Sequence, residues 1–357
     1  MLPCLYMFAK KLFKKTWIAT VAMLLFAFDF MHFAQTRIAT IDVFVTLFII
    51  LMYYFMYLYI NRSYYDRKFS KVMIPLALSG FFMGFGVASK WTGCYAGVGL
   101  AIIFFADLFK RYREYRYALS CPDEKTNGIA HKTVIKEFPK RTKQTILLCC
   151  IFFVAIPAVI YVLSYIPFVS SSGNNLIERV LQNQKNMYNY HADLVSEHPF
   201  SSHWYQWPFM TRPIWYYSHK VNDVISEGIS SFGNPLVWWA GIPAFLYMVY
   251  LSVRNTDKRA MFLGLGYLAQ YLPWFFVTRT TYIYHYFPSV PFVVLMVTYA
   301  LYKFAGNSKK RRYLVFGYVA LVIIAFIMFY PVLSGYPVDR NYVITWLKWF
   351  ESWVLIG

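Results

Sequence analysis

Charged residues are scarce in this sequence. Asp, Glu, Lys and Arg make up 14% of the 357 residues, and only 16 of them are acidic against 35 basic. So small a polar complement cannot cover a soluble fold, which excludes an ordinary globular enzyme or binding domain. Cysteine is sparse too, at 5 residues. Cys4, Cys121, Cys149 and Cys150 fall on one side of the apolar runs and Cys94 on the other, so neither a disulfide pair nor metal-ligand spacing results. A phosphate-cradling glycine loop is also lacking. The glycines of GFFMGFGVASK, Gly80 to Lys90, lie within an apolar run, where close helix packing accounts for them.

What the chain has in abundance is apolar surface: 59% of residues are hydrophobic, 22% are aromatic, and the mean hydropathy is +0.42. Apolar segments at about 17 to 34, 41 to 60, 72 to 88, 92 to 108, 146 to 166, 234 to 252, 260 to 277, 285 to 303 and 313 to 331 approach the roughly 20 residues that a span requires. They predict an all-α polytopic membrane protein with about nine transmembrane helices. With the N-terminus inside, the segments 1–16, 61–71, 109–145, 253–260 and 303–312 hold 26 of the 35 lysines and arginines. The other side keeps nine cations, matched by nine acids. This asymmetry puts the N-terminus in the cytoplasm and the C-terminus outside. It also argues against nucleic acid as a partner despite the formal charge of +19, because the cations alternate with spans instead of lining a basic, aromatic groove.

Three regions follow: five spans in 1–166, an extracytoplasmic loop in 167–233, and four spans with an outer tail in 234–357. In the loop, Leu176 to Tyr190 is amphipathic and predicts a helix lying on the membrane surface. The following HPFSSHWYQWPFMTRPIWYYS gathers Trp204, Trp207 and Trp215 around Arg212. Such a cluster suits a sugar ring or a polyprenyl chain, and equally an interfacial aromatic belt. His191, Asp193, Glu197, His198 and His203 carry metal-ligating groups, but their spacing matches no ligand pattern and predicts a hydrogen-bonding loop. The basic segment 109–145 reads as a solvated or lipid-surface connector. The tail YPVDRNYVITWLKWFESWVLIG reads as an interfacial helix, since Lys348 and Glu351 interrupt it. At the other end, Lys10, Lys11, Lys14 and Lys15 follow the short apolar run instead of preceding it, unlike a signal peptide. That stretch reads as the inner end of a span that begins upstream.

Candidate functional residues collect on the outer side. HFAQTRIATID, His32 to Asp42, places Arg37 and Asp42 between two long apolar segments. Ionisable residues at a span's rim are functional candidates, although Arg37 can snorkel to the headgroups and Asp42 can cap the next helix. SKWTG contributes Lys90, and TRTTYIYHYFP contributes Arg279, Tyr284 and His285. His285 either bonds a ligand or is satisfied by a backbone carbonyl.

HFAQTRIATID, LSGFFMGFGVASKWTG, WYQWPFMTRPIWYY, FGNPLVWWAGIP and RTTYIYHYFPSVPF, taken in that order over most of the chain, resemble motifs of the protein O-mannosyltransferases. These are polyprenyl-phosphate-mannose-dependent enzymes of the membrane glycosyltransferase C superfamily. The outer loop is too short for the sugar-binding insert of eukaryotic members, so the resemblance is to a prokaryotic one. It implies transfer of mannose from a donor lipid to Ser or Thr of a secreted protein. Arg37, Lys90, Arg279, Tyr284 and His285 would then meet the donor phosphate and sugar, and Trp207 and Arg212 would lie in an acceptor or sugar loop. It implies no cofactor, and the spacing supports no divalent cation. It allows for pairing of two copies. The family's general base is an aspartate in an outer loop between the first two spans, which this chain lacks. The expectation is therefore that those two spans lie upstream of Met1 and that the 357 residues alone do not turn over. Two alternatives remain at this level: a related enzyme that modifies a lipid, as aminoarabinose transferases do, and a transporter. The absence of paired repeats speaks against the transporter.

Overall fold

The computed structural model describes residues 1–38, 40–126, 128–169, 175–192 and 198–357, with the side chains of 191 and 192 also left out. Helix α1 (Leu2–Phe13) stops where Lys14 adopts the left-handed conformation at φ 57°. Helices α2 (Thr16–Ala27) and α3 (Phe30–Arg37) meet at a 60° bend. Then come α4 (Asp42–Ile60), α5 (Phe69–Ser89) and α6 (Gly93–Ser120), followed by a small hairpin of β1 (Lys125–Thr126) and β2 (Ile129–Ala130). Helix α7 (His131–Cys150) runs through a π-helical turn at Ile151–Ala155 into α8 (Ile156–Leu163), α9 (Ile166–Val169) follows, and α10 (Leu176–Ala192) fills the predicted amphipathic stretch. Strands β3 (Ile214–Lys220) and β4 (Ile225–Ser231) pair antiparallel, and β4 also pairs with β5 (Val338–Asp339). Between them run α11 (Pro235–Asn255), α12 (Lys258–Tyr271), α13 (Val290–Ala305) and α14 (Lys309–Ser334).

Among the described residues, seven helices are long and apolar enough to cross a membrane, or eight if the bent α2–α3 pair makes one span. The segment expected at 260–277 is not among them. It resolves into the 14 residues of α12 and a 3-10 turn at Leu272–Phe276. At 1.5 Å per residue α12 reaches about 21 Å, short of a hydrocarbon core of about 30 Å. The tail also departs from its expected helix. After β5 it makes a short helical turn and a π-turn at Val343–Leu347, then becomes irregular, because Leu347, Trp353 and Leu355 are buried against the fold.

The chain forms two compact units that do not follow chain order: Met1–Thr46 with Tyr188–Gly357, and Leu47–Met187. In the first, α13 is the axis. Every residue from Val290 to Tyr299 is buried, so the helix is apolar on all sides and enclosed on all sides. Helices α1, α2, α11, α12 and α14 pack around it. In the second unit α5 packs on the π-turn and α8 through glycines. A Cβ added at Gly80 would lie 2.1 Å from the Phe152 carbonyl oxygen, and one at Gly84 3.0 Å from Pro157 Cα. The missing side chains let the two backbones approach, as small residues do at membrane helix interfaces.

The α2–α3 bend has a specific cause. Asp29 sits at the break in extended conformation, and its Oδ1 accepts the His32 N–H at 3.0 Å, capping α3. Its Oδ2 accepts from the Asn234 N–H at 3.2 Å and from Trp238 Nε1 at 2.9 Å. Asn234 caps α11 through the Leu236 N–H, and its Nδ2 donates to the carbonyls of Phe28 and Val322. Both residues are fully buried. One carboxylate and one amide thus fix the bend against α11 and α14.

Two outcomes follow for thermal unfolding in detergent. Gly80→Ala forces backbone apart and is expected to cost about 1–3 kcal/mol, whereas Gly264→Ala, with no atom within 4 Å of the added carbon, is expected to stabilise by up to about 1 kcal/mol. Equal midpoints for the two variants would refute the close-packing account. Asp29→Ala orphans the Trp238 and Asn234 donors and uncaps α3, with an expected loss of about 2–4 kcal/mol. A midpoint unchanged from wild type would show that the carboxylate does not hold the bend.

Candidate functional site

Helix α3 carries the first set of candidates on one short turn. Gln35 faces inward and is fully buried, while Arg37 is exposed at the C-terminal end. The Gln35 side chain is used at both ends: its Nε2 donates to the Tyr216 hydroxyl at 2.9 Å and its Oε1 accepts from Thr40 Oγ1 at 2.8 Å. The amide therefore ties the segment between α3 and α4 to β3, with 181 residues of chain between Gln35 and Tyr216. Because the Tyr216 oxygen accepts from Gln35, its own proton is left to donate. Burial pushes the Tyr216 hydroxyl above its ordinary pKa, and the nearby Asp42 adds to the shift, so it stays protonated.

Helix α4 opens on Asp42, which is 5% exposed and lies in its first turn, where a carboxylate complements the partial positive charge of the helix end. Tyr284 is half-buried and within electrostatic range of Asp42 and Arg279. It belongs to the 3-10 turn Ile283–Ser289, against which α3 packs. Arg279 is half-buried, its Nη1 donating to the Thr280 carbonyl at 3.3 Å. Gln35, Asp42, Tyr216, Arg279 and Tyr284 thus come together from three separated stretches. Arg37 closes α3, its guanidinium 5.1 Å over the Phe33 ring, and Phe33 packs edge-on against Phe326 at 5.0 Å. It pairs with no carboxylate among the described residues.

Other expected site residues have structural partners. His285 is buried, and the Tyr282 N–H donates to its Nδ1 at 3.1 Å. Its ring lies 4.4 Å from those of Tyr284 and Trp274. It fixes the turn that carries Tyr284. Trp207 is fully buried, its Nε1 donating to the Ser202 carbonyl and hydroxyl, so its indole is closed to any ligand in this conformation. Arg212 donates to the Pro199 carbonyl at 2.8 Å and to that of Ser352 at 3.4 Å, pinning the tail to the loop. Lys90 belongs to the second unit. It ends α5, its backbone N–H bonded to the Gly86 carbonyl.

Of the imidazole and carboxylate cluster in the loop, Asp193, Glu197 and the side chain of His191 lie outside the described residues. His198 accepts from the Phe200 N–H, and the His203 ring stacks on Tyr205. Among the described residues no three His, Cys, Asp or Glu side chains come together as a metal site would require. Reading the sequence missed Gln35 and Tyr216. The only signal available for them was their membership of the QTR and WYY motifs, since a contact across 181 residues leaves no local trace.

Residues 1–168 match the family described as dolichyl-phosphate-mannose-protein mannosyltransferase, and residues 176–353 match the C-terminal four TMM region of protein-O-mannosyltransferase. The chain is 26% identical to the polyprenol-phosphate-mannose–protein mannosyltransferase of Mycolicibacterium smegmatis over 97% of its own length and 73% of that protein's. It is 24% identical to dolichyl-phosphate-mannose–protein mannosyltransferase 1 of Saccharomyces cerevisiae over 52% of this chain and 25% of that one. Its fold superposes on the S. cerevisiae Pmt1-Pmt2 complex bound to the sugar donor with a TM-score of 0.78 at 12% identity, covering 99% of this chain and 79% of that one. ArnT from Cupriavidus metallidurans, bound to undecaprenyl phosphate, gives 0.51 at 12% identity, over 97% and 56% of the two chains. The two family matches cover nearly the whole sequence between them, and this multi-pass membrane glycosyltransferase belongs to the protein O-mannosyltransferase family.

Proposed function

We propose that this protein transfers mannose from a polyprenyl-phosphate-linked donor to the hydroxyl of Ser or Thr in a secreted protein, at the extracytoplasmic face. The observation that carries the reading is the junction of α3 with β3 and the Ile283–Ser289 turn. There Arg37, with no carboxylate partner among the described residues, stands at the end of a helix whose Gln35 is locked to Tyr216. The reaction breaks the bond between the sugar's anomeric carbon and the phosphate oxygen, and polyprenyl phosphate leaves with the electron pair. The acceptor oxygen forms the new bond and gives up its proton to a base. Charge grows on the leaving phosphate, and cations fixed beside it lower the barrier. In this reading Arg37 and Arg279 hold the phosphate, and Tyr284, steadied by His285, lies beside the sugar. Tyr216 keeps a donor proton available at the same place. Lys90 is assigned to the donor phosphate on its motif position, and Trp207 and Arg212 support the loop beside which the acceptor passes.

The cytoplasmic N-terminus and extracytoplasmic C-terminus belong to this reading, on the strength of the 26 cations in alternate segments. A second copy as partner is part of the proposal only by analogy with the two-subunit yeast complex.

The test is transfer of labelled mannose from polyprenyl-phosphate-mannose to a Ser/Thr peptide by the purified full-length protein, with a lipid acceptor alongside. Peptide labelling is expected. Labelling confined to the lipid would favour the lipid-modifying alternative instead. Arg37→Ala is expected to lower kcat/KM by about 100-fold or more without a change in unfolding midpoint, since the exposed side chain has only a ring contact to lose. Wild-type rates in that variant would return Arg37 to a snorkelling role.

A further inference from the structure

A polar cavity lies entirely within the Leu47–Met187 unit, and none of its lining residues is among those assigned above to sugar transfer. It encloses about 430 Å³ at the C-terminal end of α4, beneath the β1–β2 hairpin, which is within the usual range for a small-ligand site. Its lining includes Arg62, Tyr65, Lys110, Arg111, Thr126 and His131, together with the carboxylates of Glu114 and of Asp66, which accepts from the Ser63 hydroxyl.

Most of these groups are already accounted for. Arg111 donates to Asp107 at 2.6 Å and is clasped between the rings of Tyr59 and Tyr64 at 5.2 and 4.0 Å. His131 is buried, with Nδ1 against the Cys121 carbonyl and Nε2 against Thr126 Oγ1 at 2.7 Å. Both ring nitrogens are thus engaged by protein groups. Lys110 is exposed, 3.5 Å from Glu114.

Two groups remain. Arg62 donates to the Lys71 carbonyl and pairs with no carboxylate among the described residues. Among the described residues the Tyr65 hydroxyl is buried without a hydrogen-bond partner, whereas that of its neighbour Tyr64 bonds Thr145 at 2.8 Å. Buried polar groups are normally satisfied, and an exception beside a cavity points to a missing partner. A tetrahedral oxyanion offers acceptors to a guanidinium and to a phenol together.

We propose that this cavity binds a phosphate-bearing ligand, held by Arg62 and Tyr65 with Lys110 at its mouth. The phosphate can belong to the headgroup of an anionic lipid or to a soluble phosphate compound. The cavity's lining shares no residue with those assigned to the donor, and its occupancy ties the 61–66 turn to α6.

The experiment is thermal unfolding of the full chain in nanodiscs of phosphatidylcholine, of phosphatidylcholine with phosphatidylglycerol, and of phosphatidylcholine with added inorganic phosphate. A midpoint raised by several degrees with phosphatidylglycerol alone identifies a lipid headgroup, and one raised by inorganic phosphate identifies a soluble source. In either case the shift is expected to vanish in Arg62→Gln and to shrink in Tyr65→Phe, which removes only the orphan hydroxyl and keeps the ring. No shift from either addition, or a shift of wild-type size in both variants, overturns the proposal.

Discussion

A single buried carboxylate fixes the bend between α2 and α3 in the first unit. Asp29 stands where an uninterrupted apolar helix would otherwise continue, and its two oxygens accept from three donors belonging to α3 and to the start of α11. In an apolar interior those donors have few other partners, so the arrangement is nearly all or nothing. Once Asp29 takes the His32 N–H, α3 must leave the axis of α2. Once it takes the Asn234 and Trp238 N–H groups, the new direction is fixed against α11. Asn234 repeats the device from the other side, capping its own helix while bonding the Phe28 and Val322 carbonyls. The bend is therefore determined by hydrogen-bond satisfaction and needs no kinking proline.

The consequences reach the candidate site in two steps. The redirected α3 turns Gln35 toward β3, where Tyr216 receives its amide, and leaves Arg37 at the rim. The 3-10 turn at Ile283–Ser289 then packs on α3, and His285 braces that turn through the Tyr282 backbone, presenting Tyr284 toward Asp42. Each link is a short polar contact seated in aromatic packing. That combination specifies geometry more sharply than apolar contact alone, since a hydrogen bond fails over a few tenths of an ångström.

Much of this was legible from the residues alone. The all-α membrane class followed from hydropathy, the amphipathic α10 from its periodicity, and the family from its ordered motifs. What was not legible has a common cause: it depends on partners distant in sequence. Asp29 lies inside an apolar segment, and nothing local in the sequence shows that Asn234 and Trp238 close on it. The stretch 260–277 read as a span by composition, yet a 3-10 turn begins after 14 residues of helix. Trp207 suited a sugar platform as an aromatic beside an arginine, and only its burial shows that its indole N–H serves Ser202. The tail kept the composition of an interfacial helix while Trp353 buried itself against Phe232 and Phe329, beyond what any local pattern records.

The arginines separate structural from functional use of charge. Arg111, almost withdrawn from solvent, has the Asp107 carboxylate and two tyrosine faces. Arg141 has Glu137, and Arg212 has two backbone carbonyls and the Phe200 ring. These match what burying a guanidinium demands, namely acceptors in place of lost water. Among the described residues Arg37 has the Phe33 ring beneath it and no carboxylate partner. An arginine so placed keeps its electrostatic reach. At a membrane surface, that reach is what a phosphate leaving a sugar can use.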